Sequence, residues 1–126
     1  MTQQSIILSA LGHTWLVDLD GCVLEHNGHL RGEDVLLPGV SEFWRRIPEN
    51  DIIILLTSRT EAQAEATRAT LQRFGLRHDK VIFDLPFGER VLINDEKPSG
   101  LKTAYGINLP RDVGLVNLTF SIDSSL

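Results

Sequence analysis

The segment Ile52–Thr57, with the sequence IIILLT, constrains the fold more than any other part of the chain. A continuous apolar run of this length, rich in β-branched residues, is typical of a strand that is covered on both faces, and such strands belong to parallel sheets. Shorter apolar runs follow the same pattern at Thr14–Asp18, Lys80–Phe83 and Arg90–Asn94, and a weaker one lies at Tyr105–Leu109. The alternation of these runs with other stretches predicts an α/β fold with a mostly parallel, five-stranded sheet.

Two of the intervening stretches carry helix signals. The first is Val40–Ile47, which follows a Pro-Gly pair. The second begins at Thr60, which forms a capping-box pattern with Gln63, and it ends at Gly75. One face of this second helix is expected to be buried, because the residues that share it are Ala64, Thr67, Leu71 and Phe74.

Three further segments are predicted with less support from periodicity. Asn27-Gly28 favours a tight turn, so the segments 23–26 and His29–Arg31 on either side of it are expected to form a small β-hairpin flap after the first strand. A short turn of helix fits near Ser99–Ala104, and Leu115–Ile122 could add one more strand.

Size and composition restrict the classes of protein that fit. The 126 residues suffice for one domain, 1–126, with one core. A formal net charge of −5 gives no basic surface for nucleic acid. The N-terminal segment Met1–Leu11 has no Lys or Arg and too short an apolar run for a signal peptide or membrane span, so a cytoplasmic protein is expected. Cys22 stands alone, and a cysteine phosphatase loop would need Arg where the chain has Gly28.

Polar residues follow three of the predicted strands at the point where each strand ends. Asp18-Leu19-Asp20-Gly21 ends the first, Thr57-Ser58-Arg59 ends the second, and Asn94-Asp95-Glu96-Lys97 ends the fourth. In open α/β sheets, ligands bind beyond the carboxyl ends of the strands. Close carboxylates repel each other unless a cation relieves them, and their oxygens suit Mg²⁺ together with a substrate phosphate. The sequence therefore predicts a pocket for a metal ion and a phosphate.

These segments resemble three motifs of the haloacid dehalogenase (HAD) superfamily. VDLDGCVL is similar to its first motif, LLTSR to its second and VLINDEKP to its fourth, and the likeness runs from Thr14 to Leu109. The resemblance implies a Rossmann-like three-layer sandwich and chemistry through an aspartyl-phosphate intermediate. It also implies a member without a separate cap domain, because only about 36 residues lie between the first two motifs.

The resemblance assigns roles to individual residues. Asp18 would be the nucleophile and a metal ligand. Asp20 would be the general acid and base, and its backbone carbonyl a second metal ligand. Thr57, with the backbone amide of Ser58, would hold the transferring phosphoryl group, and Asp95 would complete the Mg²⁺ site.

The family's third motif supplies a cation, usually Lys, and the chain has no Lys at the usual place. Lys97 is the first candidate because it starts at the pocket rim, and Lys80 and Arg59 are the alternatives. Arg59 is also a candidate for substrate binding, as are Glu25 and His26 if the hairpin covers the pocket. Each of these residues could instead belong to an exposed polar surface.

The expected activity is Mg²⁺-dependent hydrolysis of a phosphomonoester, with a small sugar phosphate as the favoured substrate. Since the pocket would be open, a second subunit could cover it. The alternative is a non-catalytic domain of the same fold that uses its acidic rim to bind a partner or a metal. A response-regulator receiver fits less well, because its acidic pair and its phosphoacceptor lie on different strands, whereas Asp18 and Asp20 share one.

Overall fold

The computed structural model describes residues 3–126 as an α/β protein with parallel strands in two small sheets. The strands and α-helices in chain order are β1 (Gln4–Leu8), β2 (Thr14–Asp18), α1 (Val40–Arg46), β3 (Ile52–Leu56), α2 (Ala64–Arg73), β4 (Lys80–Ile82) and β5 (Leu118–Ile122). None of the helices in the described part of the chain is long and apolar enough to cross a membrane.

The larger sheet has the strand order β2-β3-β4, and all its pairs are parallel. These strands confirm the first three strands expected from the sequence. In their register Asp18 lies beside Leu56, and Leu56 lies beside Ile82. The three carboxyl ends are therefore level, and whatever follows each strand meets at one edge of the sheet.

The smaller sheet pairs the two ends of the chain. Strand β1 runs parallel to β5, with Gln4 opposite Leu118 and Leu8 opposite Ile122. The last strand lies within the expected segment Leu115–Ile122, whereas no sequence pattern predicted β1. An aromatic cluster joins the two sheets, since the ring of Phe120 lies 4.9 Å from that of Trp15 and 5.4 Å from that of Phe43.

Both helices form where the sequence pattern predicts them. A turn of 3₁₀-helix at Glu61–Gln63 precedes α2, and the capping box between Thr60 and Gln63 is present. Within α2 the expected inner face is confirmed: Ala64, Thr67 and Leu71 are buried, and Phe74, at the C-terminal end, packs against the core.

The predicted fourth and fifth strands, Arg90–Asn94 and Tyr105–Leu109, and the predicted helical turn at Ser99–Ala104 have no regular secondary structure. The side chains of Val91 and Ile93 are 82% and 90% exposed. Apolar β-branched residues favour strands when they pack on a half-buried surface, and these residues lack one. The single five-stranded sheet expected from the sequence is therefore replaced by the two smaller sheets.

The predicted hairpin has a different second arm. Asn27 adopts the left-handed conformation that an Asn-Gly turn favours, but the next residues form a short 3₁₀-helix, Gly28–Leu30. Antiparallel pairing instead joins residues 23–25 to residues 35–37, through hydrogen bonds from Glu25 N–H to Val35 O (2.9 Å) and from Leu37 N–H to Val23 O (2.9 Å). The predicted arm His29–Arg31 is thus the wrong partner, because burial of Val23 and Leu37 decides the pairing.

A buried polar cluster ties the amino end of β2 to the loop before β3. Both oxygens of Asp51 accept hydrogen bonds: Oδ1 from the backbone N–H of His13 (3.1 Å), and Oδ2 from the indole N–H of Trp15 (2.9 Å). The Nδ1 atom of His13 lies 2.8 Å from the same Oδ2. Burial alone would raise the pKa of Asp51, but these hydrogen bonds outweigh it and lower that pKa below its ordinary value.

We expect Asp51→Asn to lower the free energy of unfolding by about 2 kcal/mol at pH 7, because hydrogen bonds to a charged acceptor are lost. A lowered pKa stabilises the folded state fully above the pKa of an unfolded aspartate, about 4, and this stabilisation disappears as the pH falls through the folded pKa. Urea denaturation should therefore show the gap between wild type and variant closing below about pH 4. The neighbouring Glu49→Gln should show no gap at either pH, and a gap for Asp51→Asn that stays constant in acid would contradict this interpretation.

Candidate functional site

The site begins where the backbone ladder of the larger sheet continues past its strands. Leu19 N–H donates to Leu56 O (2.9 Å), and Thr57 N–H donates to Ile82 O (3.0 Å). The first bond holds the end of β2 to β3, and the second holds the end of β3 to β4, beyond the strands themselves. They place Asp18 and Thr57 at the same edge, as the order of strands in the sequence predicts.

A tight turn follows β2 and directs Asp20 toward β3. Val23 N–H and Leu24 N–H both donate to Leu19 O (3.0 Å each), and Gly21 N–H donates to Leu24 O (2.7 Å). The Oδ2 atom of Asp20 accepts a hydrogen bond of 2.8 Å from the hydroxyl of Thr57. The acidic pair is therefore split: Asp20 points into the protein, and Asp18 stays at the surface.

The side chain of Asp18 is 46% exposed, and its nearest cationic atom is on Arg90, whose guanidinium lies 3.8 Å from Oδ1. Burial raises the pKa of Asp18, Arg90 opposes this effect, and Asp20 adds to it. His26 and Arg111 also lower the same pKa, so basic residues from three segments lie near enough to act on this carboxyl group.

Cys22 lies beside Asp18 but is a poor nucleophile. Its sulfur is 4.0 Å from Asp18 Oδ2. Burial, together with the negative charges of Asp18 and Asp112, raises the pKa of the thiol to about 11. The thiol is therefore protonated at neutral pH, in agreement with the missing cysteine-phosphatase loop.

The hydroxyl group of Thr57 forms hydrogen bonds with other groups of the protein. The side chain is fully buried, donates to Asp20 and accepts a hydrogen bond of 3.0 Å from the backbone N–H of Arg59. A hydroxyl has a single proton to donate, so a contact with a phosphoryl oxygen would require the Thr57 hydroxyl to turn away from Asp20. Ser58, expected to offer its amide, follows it at the same edge and is half-buried.

Arg59 is an interior residue that joins two carboxylates. Its Nε and Nη2 atoms donate to Asp20 Oδ1 (3.1 and 2.8 Å). Its Nη2 and Nη1 atoms donate to Asp34 Oδ1 and Oδ2 (2.7 and 3.1 Å), and Nη1 also donates to the hydroxyl of Thr67 (3.1 Å). All five donors of the guanidinium thus have acceptors, so a substrate contact by Arg59 would need one of these bonds to break. No sequence pattern marks Asp34, which lies in an irregular polar stretch.

The segment after the predicted fourth strand does not join the acidic pair. Asp95, Glu96 and Lys97 are exposed, and the turn there is held by local bonds such as Lys97 N–H to Leu101 O (3.0 Å). No group of three or more His, Cys, Asp or Glu side chains within residues 3–126 is placed to hold a metal ion. Asp95 is therefore not brought to Asp18 and Asp20, because the strand that was expected to carry it there does not form.

Among the cations, Arg90 rather than Lys97 lies beside Asp18. Lys80 is exposed in β4, and Arg59 is committed to its two carboxylates. The sequence pattern does not reveal Arg90, because the start of a predicted strand would lie at the opposite edge of the sheet.

The two hairpin candidates have different surroundings. Glu25 forms an ion pair with Arg31 at the surface. His26 donates its backbone N–H to Asp112 Oδ1 (2.7 Å), and Asp112 donates its own N–H to Gly21 O (2.9 Å). His26 is thus held next to the turn that follows β2, whereas Glu25 is paired on the outer side of the loop.

The residues at this edge can offer a divalent ion a small set of oxygen ligands. The carboxylate of Asp18 is open to solvent, while both oxygens of Asp20 accept protein hydrogen bonds. Mg²⁺ is commonly bound by one or two carboxylates, with water and substrate phosphate filling the other positions. The Asp18 carboxylate is open to such an ion, and the backbone carbonyl of Asp20 is the second ligand that the resemblance of the sequence implies.

Comparison with protein-family models, with curated proteins and with solved structures found no match to this chain.

Proposed function

We propose that the protein is a Mg²⁺-dependent phosphomonoester hydrolase of the HAD type that works through an aspartyl phosphate on Asp18. The observation that supports the proposal is the position of Asp18: it lies half-exposed at the carboxyl end of β2, and the guanidinium of Arg90 is 3.8 Å from its Oδ1. A cation beside this carboxylate would offset the repulsion between the carboxylate and an approaching phosphate group. The Rossmann-like three-layer sandwich is part of the same proposal, with the five strands in two sheets instead of the single five-stranded sheet that the sequence predicted.

The reaction divides into two displacements. A carboxylate oxygen of Asp18 forms a bond to phosphorus as the bond to the leaving oxygen breaks, and Asp20 gives that oxygen a proton. Water then attacks phosphorus, Asp20 takes its proton, and the Asp18 carboxylate leaves. Covalent catalysis of this kind replaces one difficult step by two easier ones, and each proton transfer typically contributes about 10²–10⁴ in rate.

Charge neutralisation is shared between the protein and the ion. A bound Mg²⁺ would neutralise phosphate charge and so allow one anion to approach another. Asp18 and the Asp20 carbonyl would hold it. Arg90 would contact the phosphoryl oxygens, which is the part that the sequence pattern assigned to Lys97.

We expect Arg90→Gln to lower kcat/KM for a phosphomonoester about 10- to 100-fold, because a cation beside the transferring group is lost. Lys97→Gln, measured in the same assay, is the matched comparison and should have a smaller effect. A larger loss for Lys97→Gln than for Arg90→Gln would return the role to Lys97 and contradict the assignment to Arg90.

The substrate proposed is a small sugar phosphate. The chain between β2 and β3 is used by the turn after Asp18, the loop to Leu37 and the helix α1, so no segment remains there for a cap. A substrate bound at Asp18 would therefore be open to solvent, and a second copy of the chain is proposed to cover it.

The proposal is tested by measuring phosphate release from a panel of sugar phosphates and p-nitrophenyl phosphate, with Mg²⁺ and with excess chelator. Turnover that requires Mg²⁺ is expected. Turnover that persists undiminished in chelator would exclude the metal-dependent mechanism.

One observation favours a second candidate, a non-catalytic domain that binds a partner or a metal at its acidic rim. Within residues 3–126 Asp95 does not form a metal-binding cluster with Asp18 and Asp20. Both carboxylate oxygens of Asp20 already accept hydrogen bonds from Thr57 and Arg59. No turnover on any substrate, together with Mg²⁺ binding detected by calorimetry and lost in Asp18→Asn, would favour this candidate over the enzyme.

A further inference from the structure

The loop between β2 and α1 brings one buried carboxylate to the interior side of the site. Pairing between residues 23–25 and 35–37 closes this loop and fixes the position of Asp34 directly before its second arm. The side chain of Asp34 is only 5% exposed, and that of its partner Arg59 is 3% exposed. An ion pair this deep must be fully hydrogen-bonded to persist, and this one is.

Arg59 transmits that fixed position to Asp20. Two guanidinium atoms donate to Asp20 Oδ1, and the hydroxyl of Thr57 donates to Oδ2. The Asp20 carboxyl group therefore has contacts on both oxygens and little freedom to rotate. Removal of the Asp34 charge would leave Arg59 with one carboxylate partner and would allow the guanidinium to move.

We propose that Asp34 and Arg59 are positioning residues that hold the Asp20 carboxyl group in place for proton transfer to the leaving oxygen. This inference rests on the proposed phosphatase function. Neither residue touches the reacting atoms, and both act through Asp20. This role gives a reason for an arginine beside the site whose donors all bind protein groups rather than a substrate.

The test compares leaving groups. A sugar alkoxide needs a proton as it departs, whereas p-nitrophenolate departs readily without one. The value of kcat/KM reports only the steps up to departure of the leaving group. Hydrolysis of the intermediate, which both substrates share, therefore does not affect the comparison. A variant that misplaces Asp20 should therefore lose kcat/KM for a hexose monophosphate and keep it for p-nitrophenyl phosphate, which a general loss of structure would not do.

For Asp34→Asn we expect kcat/KM for the hexose monophosphate to fall about 10- to 100-fold and that for p-nitrophenyl phosphate to change by less than about 3-fold. Arg59→Lys, which keeps the buried positive charge but lacks the planar fork, should change the ratio in the same direction. Glu33→Gln removes the same charge from the exposed neighbour of Asp34 and should leave the ratio unchanged. Circular dichroism checks that each variant is folded.

Two outcomes overturn the inference and can be told apart. Equal losses on both substrates, or no change on either, in variants of an active wild type would show that Asp34 and Arg59 do not act through Asp20. A wild type that releases phosphate from neither substrate would remove the proposed function itself, and the positioning role with it.

Discussion

Replacement of Asp18 by asparagine is expected to lower kcat/KM for phosphate release by at least about 10³-fold. The amide has nearly the same shape as the carboxylate but is a far poorer nucleophile, and it contributes no charge to a bound cation. Because Asp18 is half-exposed and its nearest cation is 3.8 Å away, the change should leave the free energy of unfolding within about 1 kcal/mol of wild type. Phosphate release and urea denaturation measure the two quantities separately.

The matched control is Asp123→Asn. Asp123 is an exposed aspartate just after β5, and its backbone N–H donates to Leu8 O at the carboxyl end of β1. The control variant should keep full activity. Turnover by Asp18→Asn within about 10-fold of wild type would contradict the proposed nucleophile, because no other carboxylate in the mechanism can form the intermediate.

The largest expected effect on stability comes from Gly114→Ala, which should lower the free energy of unfolding by about 3 kcal/mol or more. Gly114 has a φ of +83°, and a Cβ atom there would lie 2.1 Å from the carbonyl oxygen of Pro38. That carbonyl also accepts the N–H of Leu115 (2.9 Å), and this hydrogen bond brings the two backbone segments close together. The added methyl group would separate the C-terminal segment from the start of α1.

Two other glycines distinguish the contribution of the steric clash from that of the positive φ. Gly75 has a φ of +69° but open space where a methyl group would lie, so Gly75→Ala should cost only about 1 kcal/mol, from backbone strain. Gly106 has open space and no positive φ, so Gly106→Ala should be neutral. Thermal or urea denaturation that ranks Gly114→Ala no worse than Gly75→Ala would show that the close approach to Pro38 does not hold the segment.

The elements that could be predicted are those whose buried residues form a recognisable pattern in the sequence. Strands β2, β3 and β4 follow from apolar runs, and α2 follows from its capping box and its inner face. Strand β1 carries no comparable signal, because its five residues are half-buried or exposed in alternation. Residues 90–94 have the composition of a strand, but composition does not supply a neighbour to pair with, and the exposed Val91 and Ile93 show the result.

The candidate site likewise has residues whose placement could be predicted from the sequence and residues whose placement could not. The proximity of Asp18, Asp20 and Thr57 follows from strands whose carboxyl ends are level, and chain order is enough to predict it. The placement of Asp95 depended on a strand that does not form. The link from Asp20 through Arg59 to Asp34 could not be anticipated, because it depends on the path of an irregular loop rather than on any periodicity.

The most direct test of the proposed mechanism is chemical capture of the intermediate on Asp18. Wild-type protein turning over a phosphomonoester with Mg²⁺ would be quenched and treated with borodeuteride, which reduces an acyl phosphate to a deuterated alcohol. Peptide mass spectrometry is then expected to find Asp18 converted to deuterated homoserine, and to find no such change in Asp18→Asn. Rapid phosphate release with Asp18 unmodified, or with the label on another carboxylate, would contradict the mechanism.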